Sequence, residues 1–161
     1  MSTNCLIARE KDNGGYECIY THWDGYPEWV GQVLHDHYLG NEDKIDRLFS
    51  LGDLSSLGYE VEPPEGELHS FEEPLEGVTV AYCRDRGETL QPAQPLGAFN
   101  KGGSIGFTTG GNITCGAEFL YLIKEDDVEV YVPIYYPEME RVVFTFYGRM
   151  TGDGVRVEWK M

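Results

Sequence analysis

Residues 3–23, TNCLIAREKDNGGYECIYTHW, decide how the rest of the chain is read. Two β-compatible runs, 3–9 and 16–23, flank Lys11-Asp12-Asn13-Gly14-Gly15, and Asn-Gly between such runs signals a hairpin. His22-Trp23-Asp24-Gly25-Tyr26-Pro27 then breaks the second strand, and the fixed φ of Pro27 suits the first turn of a helix. Val30, Val33, Leu34, His37 and Tyr38 recur at i, i+3, i+4, i+7 and i+8, one face of a helix that stops near Gly40. Asn41 caps a second helix, with Ile45, Leu48 and Phe49 as its apolar stripe and Gly52 as its end.

Residues 53–77 carry Gly58, Pro63-Pro64, Gly66, Pro74 and Gly77, which reads as an irregular acidic connection with one short helical turn at Leu54–Leu57. A strand follows at Val78–Cys83. From Leu90 to Gly116 the composition is that of a long Gly- and Pro-rich loop or a weakly specified hairpin. Four β runs close the chain: 118–123, 128–135, 141–147 and 155–160. Pro133 and Pro137 place the second of these at an edge or let it fray. Helices set apart from hairpins, without β-α-β alternation, predict an α+β fold of antiparallel sheet with two short N-terminal helices packed on one face. The chain reads as one domain over 1–161, with a division left open into a strand-strand-helix-helix-strand lobe (1–88) and an antiparallel β lobe (117–161) joined by the Gly/Pro-rich loop.

With 41% hydrophobic and 13% aromatic residues, the 161-residue chain can bury a core and is too apolar for a disordered acidic tail. Its 28 Asp and Glu against 12 Lys and Arg give a net charge of -16, which repels nucleic acid and anionic membranes and attracts basic surfaces. The N-terminus lacks the basic stretch and apolar core of a signal peptide, and no window approaches the roughly 18 apolar residues of a membrane span. A cytoplasmic protein is expected. Cys5, Cys18, Cys83 and Cys115 have no C-x-x-C spacing and read as reduced, mostly buried thiols.

The densest group of chemically able side chains is His22, Trp23, Asp24 and Tyr26, where Asp24 is placed to cap the helix N-terminus or an anion is placed to dock there. Arg84-Asp85-Arg86-Gly87-Glu88 offers two guanidinium groups to an anion, or an ion-pair network with Asp85, Glu88 and Asp24. His37 lies on the apolar stripe and reads as a core histidine, His35 as exposed, and His69 as part of the acidic loop. Four scattered histidines without i, i+4 spacing predict no metal site. There is no G-x-S-x-G, and Lys101-Gly102-Gly103-Ser104-Ile105-Gly106 is not a phosphate-binding P-loop. No catalytic residue and no cofactor is expected. Tyr121, Tyr131, Tyr135 and Tyr136 read as sheet packing.

Four stretches together, His22-Trp23-Asp24-Gly25-Tyr26-Pro27, Leu51-Gly52-Asp53-Leu54-Ser55-Ser56-Leu57-Gly58, His69-Ser70-Phe71 and Thr79-Val80-Ala81-Tyr82-Cys83-Arg84-Asp85-Arg86-Gly87-Glu88, resemble a family of small uncharacterised proteins of bacteriophages and mobile elements. The resemblance covers about the first 88 residues, with a further echo at Ala117–Ile123. It implies an accessory protein acting in a host cytoplasm and brings no catalytic residues with it. Small acidic proteins of such elements include inhibitors of host defence, of anti-CRISPR or anti-restriction type, some of them DNA mimics. The expectation is a non-enzymatic protein that sets Glu60, Glu62, Glu65, Glu67, Glu72 and Glu73 against the basic surface of a host protein, with self-association left open. The alternative is a small-anion or nucleotide pocket built from His22, Trp23, Asp24, Tyr26, Arg84 and Arg86.

Overall fold

The computed structural model describes residues 2–12, 15–96, 99–100, 104–105, 117–139 and 141–158. Asn13 and Gly14 of the hairpin turn, most of the Gly-rich run with Cys115, the end of the last β run, and the side chains of Tyr135 and Tyr136 lie outside the described residues.

Strands β1 (Cys5–Glu10) and β2 (Tyr16–Thr21) form an antiparallel hairpin with Cys5 opposite Thr21 and Glu10 opposite Tyr16. The chain then passes through two π-helical segments, Pro27–Gly31 and Leu34–Tyr38, and helix α1 (Glu42–Ser50). After these come β3 (Leu54–Ser56), β4 (Val80–Ala81), the five-residue α2 (Tyr82–Arg86), β5 (Gln94–Leu96), β6 (Phe99–Asn100) and β7 (Ser104–Ile105). The C-terminal strands are β8 (Phe119–Ile123), β9 (Val128–Tyr136), β10 (Arg141–Thr151) and β11 (Gly154–Val157).

The sheet corrects the predicted antiparallel α+β class. Its order is β4-β3-β2-β1-β8-β9-β10-β7-β6, with β5 also on β2 and β11 on β10, and it is mixed: β1 runs parallel to β8, and β2 parallel to β3. The β1–β8 ladder, from Cys5 opposite Phe119 to Arg9 opposite Ile123, joins the two halves of the chain edge to edge. Strands at such a junction are buried on both faces. Cys5 and Ile7 enter one cluster with Ile19, Tyr121 and Ile123, while Leu6 and Ala8 enter another with Cys18, Leu120, Leu122, Tyr131 and Phe144. On its other side β8 pairs with Val128–Tyr131 at the start of β9, from Ile123 opposite Val128 to Leu120 opposite Tyr131, so among the described residues Pro133 sits where β9 has a single partner strand, β10.

Nor are there two regular N-terminal helices. Leu39 N–H bonds to the Leu34 carbonyl and Gln32 N–H to the Pro27 carbonyl, the i→i+5 pattern of a π-helix. This wider winding keeps Val30, Val33, Leu34 and Tyr38 buried but turns His37 outward, against the Tyr59 ring at 4.5 Å, so His37 is not a core residue. α1 starts where Asn41 accepts the Lys44 N–H at 3.1 Å, and it adds Ile45, Leu48 and Phe49 to the first cluster. Residues 54–56 are a strand and not a helical turn, because the Leu54 and Ser55 carbonyls accept the His22 and Trp23 N–H groups and so prolong the pairing with β2. Likewise the predicted strand at 78–83 turns helical at Tyr82.

The corner after β2 is fixed by close packing. Asp24 has a left-handed φ of 56°, and Gly25 donates to the Thr3 carbonyl at 2.8 Å while accepting the Tyr121 hydroxyl at 2.6 Å. A Cβ on Gly25 would lie 2.8 Å from the Thr3 oxygen and 2.9 Å from Cys5 Cβ, whereas one on Gly152 would meet nothing within 4 Å. Gly25→Ala is therefore expected to cost about 1–3 kcal/mol of unfolding free energy in urea titration, and Gly152→Ala to stay within about 0.5 kcal/mol of the parent.

Candidate functional site

The six glutamates of the predicted acidic face, Glu60, Glu62, Glu65, Glu67, Glu72 and Glu73, are all solvent-exposed on the irregular segment between β3 and β4. Arg47 pairs with Glu62, and among the described residues no other member of the six is in an ion pair. Leu68 stands among them 93% exposed.

A segment without a ladder must find donors for its carbonyls elsewhere. Here five consecutive carbonyls each receive one from a different part of the fold. Trp29 Nε1 donates to Leu57 O at 2.8 Å, the Tyr38 hydroxyl to Gly58 O at 2.8 Å and Lys44 Nζ to Tyr59 O at 2.5 Å. The Thr79 N–H donates to Glu60 O at 2.9 Å, and Arg84 Nη1 to Val61 O at 2.7 Å. Lys44 is 8% exposed; its ammonium also donates to His37 O at 2.8 Å and lies 4.3 Å from the Tyr38 ring centre. Thr79, fully buried, accepts the Gly58 N–H on its hydroxyl.

The far end of the segment is held by Asp85. Its carboxylate accepts Arg84 Nε and Nη2 at 2.8 and 2.9 Å and the Ala81 N–H at 2.7 Å, and lies 3.5 Å from His69 Nε2. Burial alone pushes the Asp85 carboxyl up; the Arg84 fork, the Ala81 N–H and His69 outweigh it and hold the group below the usual aspartate range. The His69 side chain is 1% exposed. Leu75 N–H donates to His69 Nδ1 at 3.0 Å, so the ring proton sits on Nε2, which donates to Thr79 O at 3.1 Å. Phe71 N–H bonds to Asp85 O and Glu60 N–H to Gly77 O, which closes the segment on itself.

The alternative pocket does not assemble as one group. Arg84 spends four of its five N–H directions on Asp85, Val61 and Thr79. Arg86 pairs with Glu88 at 3.3 Å and stacks 4.6 Å from the Phe71 ring centre. His22 bonds through Nδ1 to the Tyr20 hydroxyl, and His22 and Trp23 lie on β2's side of β3, with β4 and α2 on the other. Asp24 does not cap the helix: the N-cap is Tyr26, with no side-chain bond, and the Asp24 carboxylate accepts the Tyr26 hydroxyl at 3.4 Å. A 1060 Å³ concavity near Arg9, Asp46 and Lys124 and a 400 Å³ one at Asp53, Tyr82 and Glu88 are lined by none of His22, Trp23, Asp24, Tyr26, Arg84 and Arg86. Among the described residues no group of three or more His, Cys, Asp and Glu is placed to hold a metal. Cys5, Cys18 and Cys83 are free thiols, and burial pushes the Cys5 thiol far up, away from reactivity.

Trp29, Tyr38, Lys44, Thr79, His69 and Asp85 thus hold the acidic segment, although only their distant partners make them recognisable. Because the Asp85 pKa is depressed in the fold, its contribution is present above about pH 4 and is lost as pH falls through the folded value. Asp85→Asn is expected to cost about 1–3 kcal/mol at neutral pH. It should also flatten the acid limb of a stability-versus-pH curve from urea titrations below about pH 4.

The chain matches no family model, no curated protein and no solved structure, so the role of the site is inferred from its own chemistry.

Proposed function

We propose that this protein is a non-enzymatic binding protein that presents its acidic segment, Glu60–Glu73, to the basic surface of another protein. The observation that carries the reading is the contrast between the segment's exposed, mostly unpaired carboxylates and its firmly held backbone. Carboxylates on a surface that is already ordered bind with little entropy left to lose, and they steer a cationic partner in from a distance. A net charge of -16 adds to the steering and disfavours direct contact with nucleic acid.

The partner class that fits is a nucleic-acid-binding protein whose cationic channel normally takes phosphates, and the resemblance to phage and mobile-element proteins makes a host defence enzyme the proposed example. The site of action is then the host cytoplasm. In the described residues no helix is long and apolar enough to cross a membrane. The small-anion alternative gains no support from Arg84, whose guanidinium is committed to holding the segment.

Capture from a bacterial lysate on the immobilised protein at about 0.05 M salt should recover nucleic-acid-binding proteins, released as salt rises to about 0.5 M. Addition of duplex DNA should displace them, and a variant with Glu65, Glu67, Glu72 and Glu73 all changed to Gln should fail to retain them while folding normally. Retention by that variant, or recovery of proteins without nucleic-acid-binding surfaces, would count against the reading.

A further inference from the structure

Three of the described arginines sit in the same kind of nest, an aromatic ring on one side and one or more carboxylates on the guanidinium. Arg9 lies 4.4 Å from the Phe49 ring centre and pairs with Glu17 at 2.8 Å and with Asp46. Arg86 lies 4.6 Å from Phe71 and pairs with Glu88. Arg149 lies 4.9 Å from Phe146 and pairs with Asp127, Glu129 and Glu158. The ring face attracts the cation while the carboxylates take its N–H fork.

The corner after β2 offers the same ingredients without an arginine. Trp23 and Tyr26 are 44% and 39% exposed, large values for aromatic side chains on firmly anchored backbone, and Asp24 and Glu28 beside them are exposed carboxylates. The Tyr26 hydroxyl has its pKa raised, first by the Asp24 charge and, less strongly, by Glu28, which places both acids in one local field. Among the described residues no Lys or Arg pairs with Asp24 or Glu28 or stacks on Trp23 or Tyr26. The backbone is set: Trp23 N–H is bonded to Ser55 O, Gly25 is wedged against Thr3 and Cys5, and the His22 ring meets the indole edge-on at 4.8 Å. Trp29, one turn beyond Tyr26, connects this surface to Leu57 and to the Tyr59 ring at the start of the acidic segment.

We propose that Trp23, Asp24, Tyr26 and Glu28 form a docking surface for an arginine side chain projecting from a basic segment of a protein partner. The inference rests on the binding role proposed above and adds a specific contact to a charge-driven one. Arginine fits better than lysine because its planar guanidinium stacks on an indole or phenol while still presenting a fork to carboxylates. A second copy of the chain is a poor occupant, since two molecules at -16 repel each other, and a phosphate would face two carboxylates.

The test titrates the full chain with two peptides of equal length and charge, one of arginines and one of lysines, read by calorimetry at low salt. The wild type should bind the arginine peptide more tightly. Trp23→Ala should weaken the arginine peptide about three- to thirty-fold, leave the lysine peptide nearly unchanged and keep the melting temperature of the parent. Tyr26→Ala should act in the same direction. If both variants keep the full affinity and the arginine preference, the docking surface is disproved. Loss of both peptides in the Glu65, Glu67, Glu72, Glu73 to Gln variant would then leave the acidic-segment reading standing alone. If the wild type binds neither peptide, both readings fall. If it forms dimers that Trp23→Ala abolishes, the occupant is a second copy and the arginine assignment is wrong.

Discussion

Five carbonyls in a row, Leu57 to Val61, need five donors, and the fold is arranged to supply them. The donors come from both π-helical segments, from α1, from the residue before β4 and from α2. A carbonyl of this row left unmet where water is excluded, as at Gly58, would cost roughly 1–3 kcal/mol, and the five bonds together tie the acidic segment to the surrounding helices. Two of the donors are cations, Lys44 buried and Arg84 partly exposed. The carbonyls of Tyr59 and His37 and the Tyr38 ring surround the ammonium, and Asp85 with two carbonyls surrounds the guanidinium. Partners of that kind are what make burial of a charge tolerable.

This constraint explains why an acidic stretch without regular structure is nonetheless built into the molecule. The connection from Tyr59 to Val78 buries Val61 and His69 while turning its glutamates to solvent. An acidic surface of that sort differs from a disordered tail because the backbone carrying its charges is hydrogen-bonded to the rest of the fold. In the proposed binding role, charge would supply long-range attraction and the anchored backbone selectivity among cationic partners.

Local patterns exposed local structure. The Asn-Gly hairpin signal, the Gly40-Asn41 stop and start, and the four C-terminal β runs are all short-range features, and each has its counterpart in β1–β2, α1 and β8–β11. What the local pattern did not contain was the partner of β1. Cys5-Leu6-Ile7-Ala8 is continuously apolar where a half-exposed hairpin strand would alternate, and that run is the trace of burial on both faces by the parallel ladder to β8. The same holds at the site. Arg84 and Asp85 are legible as an ion pair, but Trp29, Tyr38 and Lys44 share no regular spacing, since what unites them is a target on a different segment, Leu57–Tyr59. The π winding displaces His37 from the apolar stripe for a related reason: the stripe assumes a 3.6-residue period, and the backbone at Leu34–Tyr38 follows a wider one.

The most direct test of the central claim is residue-resolved amide hydrogen exchange in the wild type and in Arg84→Ala. If the converging donors hold the acidic segment, the amides of Gly58, Glu60, Leu75 and Thr79 exchange slowly in the wild type and lose protection together in the variant, while β1 and β8 stay protected. Fast exchange of those amides in the wild type, or unchanged protection in Arg84→Ala, would contradict it.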